Sequence, residues 1–276
     1  MKTRRLFLKV CGVASLAAQP RETYDTQAKG LRIVPGAWRP HYPWEHIAWI
    51  SPPWPSQDYL WLDFPEAIFT TRGLHFLSHI NPAAPALYGG WPAVSWRPAA
   101  DGIAFERELP DGVRFGGSLT RSGTSLVEME LFIRNQSKEP LARITLQTCA
   151  FLRAIREFAD YTLENKFVHT AAGWMPLNKA LAAEAGAGPY RVGWRRSGKL
   201  VADWPVLATV SNRGPRLVAM TWNQATLSMV GNPNHPCMHA DPVFPNLAPG
   251  EGHTIRGRLI FFEGKLEDFD FRRYLL

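Results

Sequence analysis

Cysteine is scarce in this sequence, with three in 276 residues. That excludes a disulfide scaffold, in which several bridges stand in for a hydrophobic core. Long apolar runs are also lacking. The stretch 10–18 is weakly apolar and far shorter than the about 20 residues that a spanning helix needs, so no integral membrane anchor is expected. There is no internal repeat, no coiled-coil seam and no composition break that would mark a second domain. Basic runs are absent beyond the N-terminus. Taking away residues 1–17 removes Lys2, Arg4, Arg5 and Lys9, so 31 basic residues fall to 27 against 24 acids and the net charge drops from +7 to +3. No footprint for nucleic acid remains.

What is present begins with the N-terminus. Arg4-Arg5-Leu6-Phe7-Leu8-Lys9 follows Lys2-Thr3 and leads into a short apolar stretch, with Ser15 and Ala17 as small residues before a cleavage point. This pattern is that of a signal peptide and resembles the twin-arginine consensus. It predicts removal of residues 1–17 and export to the periplasm or beyond, often with a cofactor loaded before transport. Lys9 and Val10 stand where a lipobox would need small or apolar residues, so Cys11 is not read as a lipid anchor. The mature chain, 18–276, is expected to form a single domain. Its two cysteines, Cys149 and Cys237, enter an oxidising compartment in which pairing is open.

Tryptophan is abundant, with 11 residues. Indole offers a flat apolar face and one N–H donor, which suits stacking on a sugar ring. Trp54, Trp174 and Trp222 are the candidate substrate-binding residues, with Asn81 as a polar contact.

Short alternating segments separated by turn residues predict an all-β protein, a large antiparallel β-sandwich with few short helices. The segments 59–64, 67–69, 103–109, 113–119, 126–133, 144–151, 206–210, 217–222, 227–230 and 255–262 read as strands. Pro110-Asp111-Gly112 marks a hairpin, and in 126–133 Val127, Met129, Leu131 and Ile133 share one face. Prolines make 20–60 an irregular arm, and breakers make 81–98 a long loop. The stretch 178–187 reads as a short helix, and 152–158 is open between helix and strand.

Four groups of residues could carry chemistry. His235, Cys237, His239 and Asp241 are two apart, so an extended chain would put them on one face. Pro236 and Pro242 favour a loop there instead. Imidazole, thiolate and carboxylate are ligands for Zn or Cu, so a metal at His235/His239 is one option and acid–base or sugar contact another. His75 and His79 are four apart, and His79 sits at the exit toward Asn81-Pro82. Arg153, Arg156, Glu157 and Asp160 crowd one segment. Arg153 could hold a uronate carboxylate in bidentate fashion, with Glu157 as acid or base. His169, near Lys166 and Trp174, could share that cleft.

The stretch 234–262 contains His235-Pro236, Asp241-Pro242, Phe244-Pro245 and Leu247-Ala248-Pro249-Gly250-Glu251, followed by a β segment. This resembles the end of galactose mutarotase-like (aldose 1-epimerase) proteins, and the strand–turn–strand order around 135–152 is similar too. The resemblance implies the family's β-supersandwich and a carbohydrate ligand. Its first catalytic histidine would fall near 147–149, where there is none, and 226–234 holds no glutamate. Ordinary mutarotation would then lack its acid and base. The sequence thus leads to an exported carbohydrate-active protein with epimerase-, lyase- or hydrolase-type chemistry. A non-catalytic glycan-binding domain and a metal-dependent exported protein are the alternatives.

Overall fold

The computed structural model describes residues 30–38, 42–56, 58–78, 93–184 and 188–276. The twin-arginine segment, His79 and Asn81 lie outside these residues. The chain opens with β1 (Arg32–Pro35), β2 (Ile47–Ser51), β3 (Leu60–Thr70) and β4 (Gly73–Leu77). There follow β5 (Arg97–Ala99), β6 (Gly102–Glu108), β7 (Val113–Ser122), β8 (Leu126–Asn135) and β9 (Thr145–Phe151). Next come β10 (Lys166–Thr170), β11 (Gly173–Pro176), the short helix α1 (Leu177–Ala182), β12 (Tyr190–Val192) and β13 (Lys199–Ala202). The last strands are β14 (Leu207–Val210), β15 (Arg216–Thr221), β16 (Thr226–Asn232), β17 (His235–Pro242) and β18 (Gly252–Glu263).

Two nine-stranded sheets result. The first runs β1-β2-β3-β9-β17-β16-β12-β13, with β4 also on β3; the second runs β11-β10-β14-β15-β18-β8-β7-β6-β5. Apart from the parallel pair β12–β16, the pairings are antiparallel. The architecture is the expected all-β sandwich.

Period-2 alternation sorts the side chains. In β8, Val127, Met129, Leu131 and Ile133 point inward, while Glu128 and Glu130 point out to Arg258 and Arg256 of β18. From the first sheet Leu60, Leu62, Phe64, Ile68, Leu146, Met238 and Ala240 meet them across the core. Gly117 on β7 lets the sheets approach closely: a Cβ there would lie 2.5 Å from the Phe64 ring and 2.7 Å from the Glu130 carbonyl. Trp222 is fully buried, stacked on Phe64 at 6.0 Å, and its Nε1–H reaches Thr148 Oγ1 at 3.2 Å. Trp54 is also in this core, edge-on to Phe261.

A second apolar layer covers the other face of the second sheet. Val206, Ala208, Leu217, Ala219 and Ile260 pack under Phe269 and Phe271, which two 3₁₀ turns (Leu266–Asp268 and Phe271–Tyr274) hold in place.

Three local expectations change. The proline-rich arm contains β1 and β2, because Pro35, Pro43, Pro52, Pro53 and Pro55 fall at a strand end or between strands, where no ladder N–H is required. Of the stretch 81–98, expected as a loop, the described residues from 93 on lead into the edge strand β5, which tolerates Pro98 for the same reason. The segment His235–Pro242 is a strand, not a loop. Pro236 falls in the register shift against β16, Pro242 is the last residue, and the ladder to β9 needs only residues 237–239. The undecided stretch leaves β9 and makes a 3₁₀ turn at Arg156–Phe158.

Candidate functional site

Since β17 is extended, its alternation holds: His235, Cys237, His239 and Asp241 all project from the face of the first sheet that looks away from the core. β9 adds Gln147, Cys149 and Phe151 to that face, and β3 adds Trp61, Asp63 and Glu66. The β3–β9 register runs Asp63↔Cys149 and then jumps to Ala67↔Gln147. This bulge, around a proline that has no ladder donor, turns Phe64 inward and leaves Glu66 on the outer side.

At the centre of the face, Cys149, Cys237 and His239 bring their ligand atoms within 4.8 Å of one another, and all three are buried. Cys237 Sγ is 3.1 Å from His239 Nε2 and 3.4 Å from His235 Nδ1. The other imidazole nitrogen of His239, Nδ1, faces two carboxylates, Glu66 Oε2 and Asp241 Oδ1, each at 3.6 Å. Asp241 is fixed by the Thr148 backbone N–H, which donates to its Oδ1 at 3.2 Å.

Electrostatics polarise the cluster. A hydrogen bond from Cys149 lowers the Cys237 thiol to about 4 against its burial, with His239 and His235 adding to the effect. The same hydrogen bond, with burial, raises the Cys149 thiol. Burial alone would lower His239, but the Cys237 thiolate and the carboxylates outweigh it and the imidazole is raised. Burial raises the Asp241 carboxyl.

Aromatic rings border the cluster on both sides. Trp38 stacks on Phe151 at 5.1 Å, and Trp61 lies 5.7 Å from the same ring. Opposite, Trp194 stands edge-on to His239 at 5.4 Å. Beyond Asp241, β9 and β17 diverge until the bridge Thr145↔Val243, and a cavity of about 380 Å³ opens. Gln147, Ser228, Asp241, Trp194, Arg195 and Arg196 line it. The Arg195 guanidinium lies 5.2 Å over the Phe69 ring and donates to Thr145 Oγ1.

Of the residues singled out from sequence, His235, Cys237, His239 and Asp241 meet here, His79 and Asn81 lie outside the described residues, and the others stand elsewhere. His169 is on the second sheet, paired with Asp203 at 2.8 Å and packed among Trp174 and Phe271. Glu157 accepts from Trp54 Nε1 at 3.0 Å and Ser211 Oγ at 2.7 Å, with Arg216 at 3.5 Å. It serves as an internal anchor. Arg153 is exposed in the bend that follows β9, two residues past Phe151. His75 bridges Thr70 and Asp111 on the rim of β4. Trp222 is enclosed by the core, and Trp54 is buried with the Arg216 guanidinium 5.3 Å over its ring. Cys149, Asp63, Glu66, Trp61, Trp194 and Arg195 are additions that no local pattern announced. Only the outward alternation of 145–151 could have placed Cys149 beside the histidines.

No family model matches the chain, and no curated protein does. Solved structures similar to it include a putative aldose 1-epimerase from Escherichia coli K12, at 13% identity over 72% of this chain and 79% of that one, TM-score 0.41. A galactose mutarotase related enzyme from Lactobacillus acidophilus matches at 9% identity over 80% and 96%, TM-score 0.44. An aldose epimerase homologue from C. elegans matches at 11% over 86% and 100%, TM-score 0.40.

Proposed function

We propose that this is an exported carbohydrate-binding protein, whose ligand occupies the cavity between the Trp194–Arg196 turn and the diverging ends of β9 and β17. The observation that carries the reading is the composition of that cavity. One exposed indole, Trp194, stands beside Gln147, Ser228 and Asp241, which can exchange hydrogen bonds with hydroxyls, and beside two arginines. A volume of about 380 Å³ lies in the range of small-ligand sites. Indole stacking with a few polar contacts is the chemistry that selects a pyranose, and Arg195 and Arg196 suit a sugar carboxylate.

Binding is favoured over turnover because His239 is 2% exposed and directs Nε2 at the sulfur of Cys237. The imidazole therefore presents no nitrogen to the cavity. The export signal at residues 1–17 supports an extracytoplasmic glycan as ligand.

The test is calorimetric titration of the protein with neutral and uronate-containing oligosaccharides. Saturable binding is expected, tighter for uronates, and weaker by about tenfold or more in Trp194→Ala, equivalent to roughly 1.4 kcal/mol. Absence of binding to either class, or affinity unchanged in Trp194→Ala and Arg195→Ala, would overturn the proposal.

A further inference from the structure

We infer that Cys149, Cys237 and His239 form a binding site for one thiophilic metal ion, zinc(II) or copper(I). The inference starts from which atoms the topology makes converge. Cys149 and Cys237 lie on neighbouring antiparallel strands, two residues off register, because His239 is the residue opposite Cys149 and Phe151 the residue opposite Cys237. A diagonal pair of thiols on one sheet face, with an imidazole filling the corner, gives three ligand atoms within 4.8 Å of one another. Two thiolates and an imidazole make a soft donor set, which suits zinc and copper(I) and disfavours magnesium or calcium.

The surroundings supply an independent argument. A metal-bound histidine is characteristically oriented by a carboxylate on its other nitrogen. His239 has that disposition: Nε2 faces the sulfurs, and Nδ1 faces Glu66 and Asp241 at 3.6 Å each. At that distance Nδ1 makes no hydrogen bond, and a shift of a few tenths of an ångström on ligation would close one. The tautomer so selected leaves the Nε2 lone pair for the ion.

His235 completes the arrangement as a donor to sulfur. Asn232 Oδ1 accepts the backbone N–H of Asn234, which turns its Nδ2 toward His235 Nε2 at 3.1 Å. The proton then resides on His235 Nδ1, 3.4 Å from Cys237 Sγ. An N–H directed at a thiolate stabilises its negative charge beside a cation. On binding, the two sulfurs and His239 Nε2 give up to solvent the protons they hold, and two S–metal bonds and one N–metal bond form. Two thiolates neutralise zinc(II) and leave one negative charge with copper(I), toward which His235 directs its Nδ1–H.

Burial separates this reading from a nucleophilic cysteine. Cys237 is 0% exposed, which denies a substrate carbon access to its sulfur, whereas an ion loaded before or during folding needs no path afterwards.

The experiment uses the reduced full chain refolded separately in the presence of Zn(II), of Co(II) as its spectroscopic substitute, and of Cu(I) under argon, with unbound ion then removed. One equivalent of either zinc or copper(I) is expected, with a thiolate-to-cobalt charge-transfer band. Cys149→Ser and Cys237→Ser should each abolish the band, and Glu66→Gln should weaken affinity about 10–100-fold, the usual effect of removing such a supporting carboxylate. If the serine variants do not fold, the metal stoichiometry and the charge-transfer band of the unaltered chain decide the matter. Less than stoichiometric binding of both ions, or a Cys149–Cys237 disulfide in natively exported protein with no metal present, would overturn the inference. Glycan titration is independent of these readouts.

Discussion

Replacing Trp54 by phenylalanine separates a core role from a ligand role for this indole. Its Nε1–H donates to Glu157 Oε1 at 3.0 Å in a site where the ring is 2% exposed. Phenylalanine keeps the edge-on contact to Phe261 but removes the donor. A buried hydrogen bond to a charged acceptor contributes about 1.5–3 kcal/mol. Glu157 retains Ser211 Oγ at 2.7 Å and Arg216 at 3.5 Å, which places the loss toward the lower end. The smaller ring adds a void of roughly one or two methylene equivalents, about 1 kcal/mol more. The sum of about 2–3 kcal/mol corresponds to a fall in Tm of about 5–10 °C for a chain of this size. Urea unfolding followed by circular dichroism should show a lower midpoint with an unchanged slope. Combining the change with Glu157→Gln should cost less than the two single variants added together, because they share one interaction. Unchanged stability together with a tenfold loss of glycan affinity would refute the reasoning and return Trp54 to the ligand.

Two further perturbations test the sandwich itself. Gly117→Ala should destabilise by about 1–3 kcal/mol, since the new methyl meets the Glu130 carbonyl at 2.7 Å and backbone cannot yield; Gly214→Ala, with open space around it, should stay within about 0.5 kcal/mol of the parent in the same melt. His46 is fully buried against Phe105, accepts from Arg107 Nε at 3.2 Å, and is held well below its ordinary pKa by burial and then by Arg107. The unfolded chain therefore takes up a proton below about 6.5 that the folded chain refuses, so stability falls with acidification by up to roughly 1.4 kcal/mol per pH unit. His46→Gln should make this slope shallower, read from urea midpoints at neutral and mildly acidic pH; an unchanged slope would show that His46 takes up its proton in the fold.

Much of the sandwich was legible locally. The hairpin at Pro110-Asp111-Gly112 and the alternation in 126–133 depend on neighbouring residues alone, and both stand. β1, β2 and β17 were obscured by prolines, because whether a proline is tolerated depends on which partner strand needs its N–H, and sequence does not show partners. The same reason hid the site. His235, Cys237, His239 and Asp241 share a face only if β17 is extended, and Cys149 joins them only through the β9–β17 register. Glu66 reaches His239 because a bulge in β3 turns it outward, which no periodicity encodes. Trp54 and Trp222 show the converse: composition counted them as surface for a sugar, while the packing spends their indole N–H groups on Glu157 and Thr148.

The strand order carries a consequence for how the molecule is assembled. β18, which begins at Gly252, lies between β15 and β8, and β17 lies between β9 and β16. Each sheet is therefore joined down its middle by a strand made late. A chain severed ahead of β18 would leave β8 and β15 as two long, apolar, unpaired edges, each a template for another chain. The β8 edge is satisfied only by contacts across more than a hundred residues of sequence, from Gly252↔Arg134 to Ile260↔Leu126, which makes for slow folding and an exposed intermediate. Separating the last two strands from the rest should therefore yield sticky half-sheets, with the two cysteine-bearing strands no longer side by side.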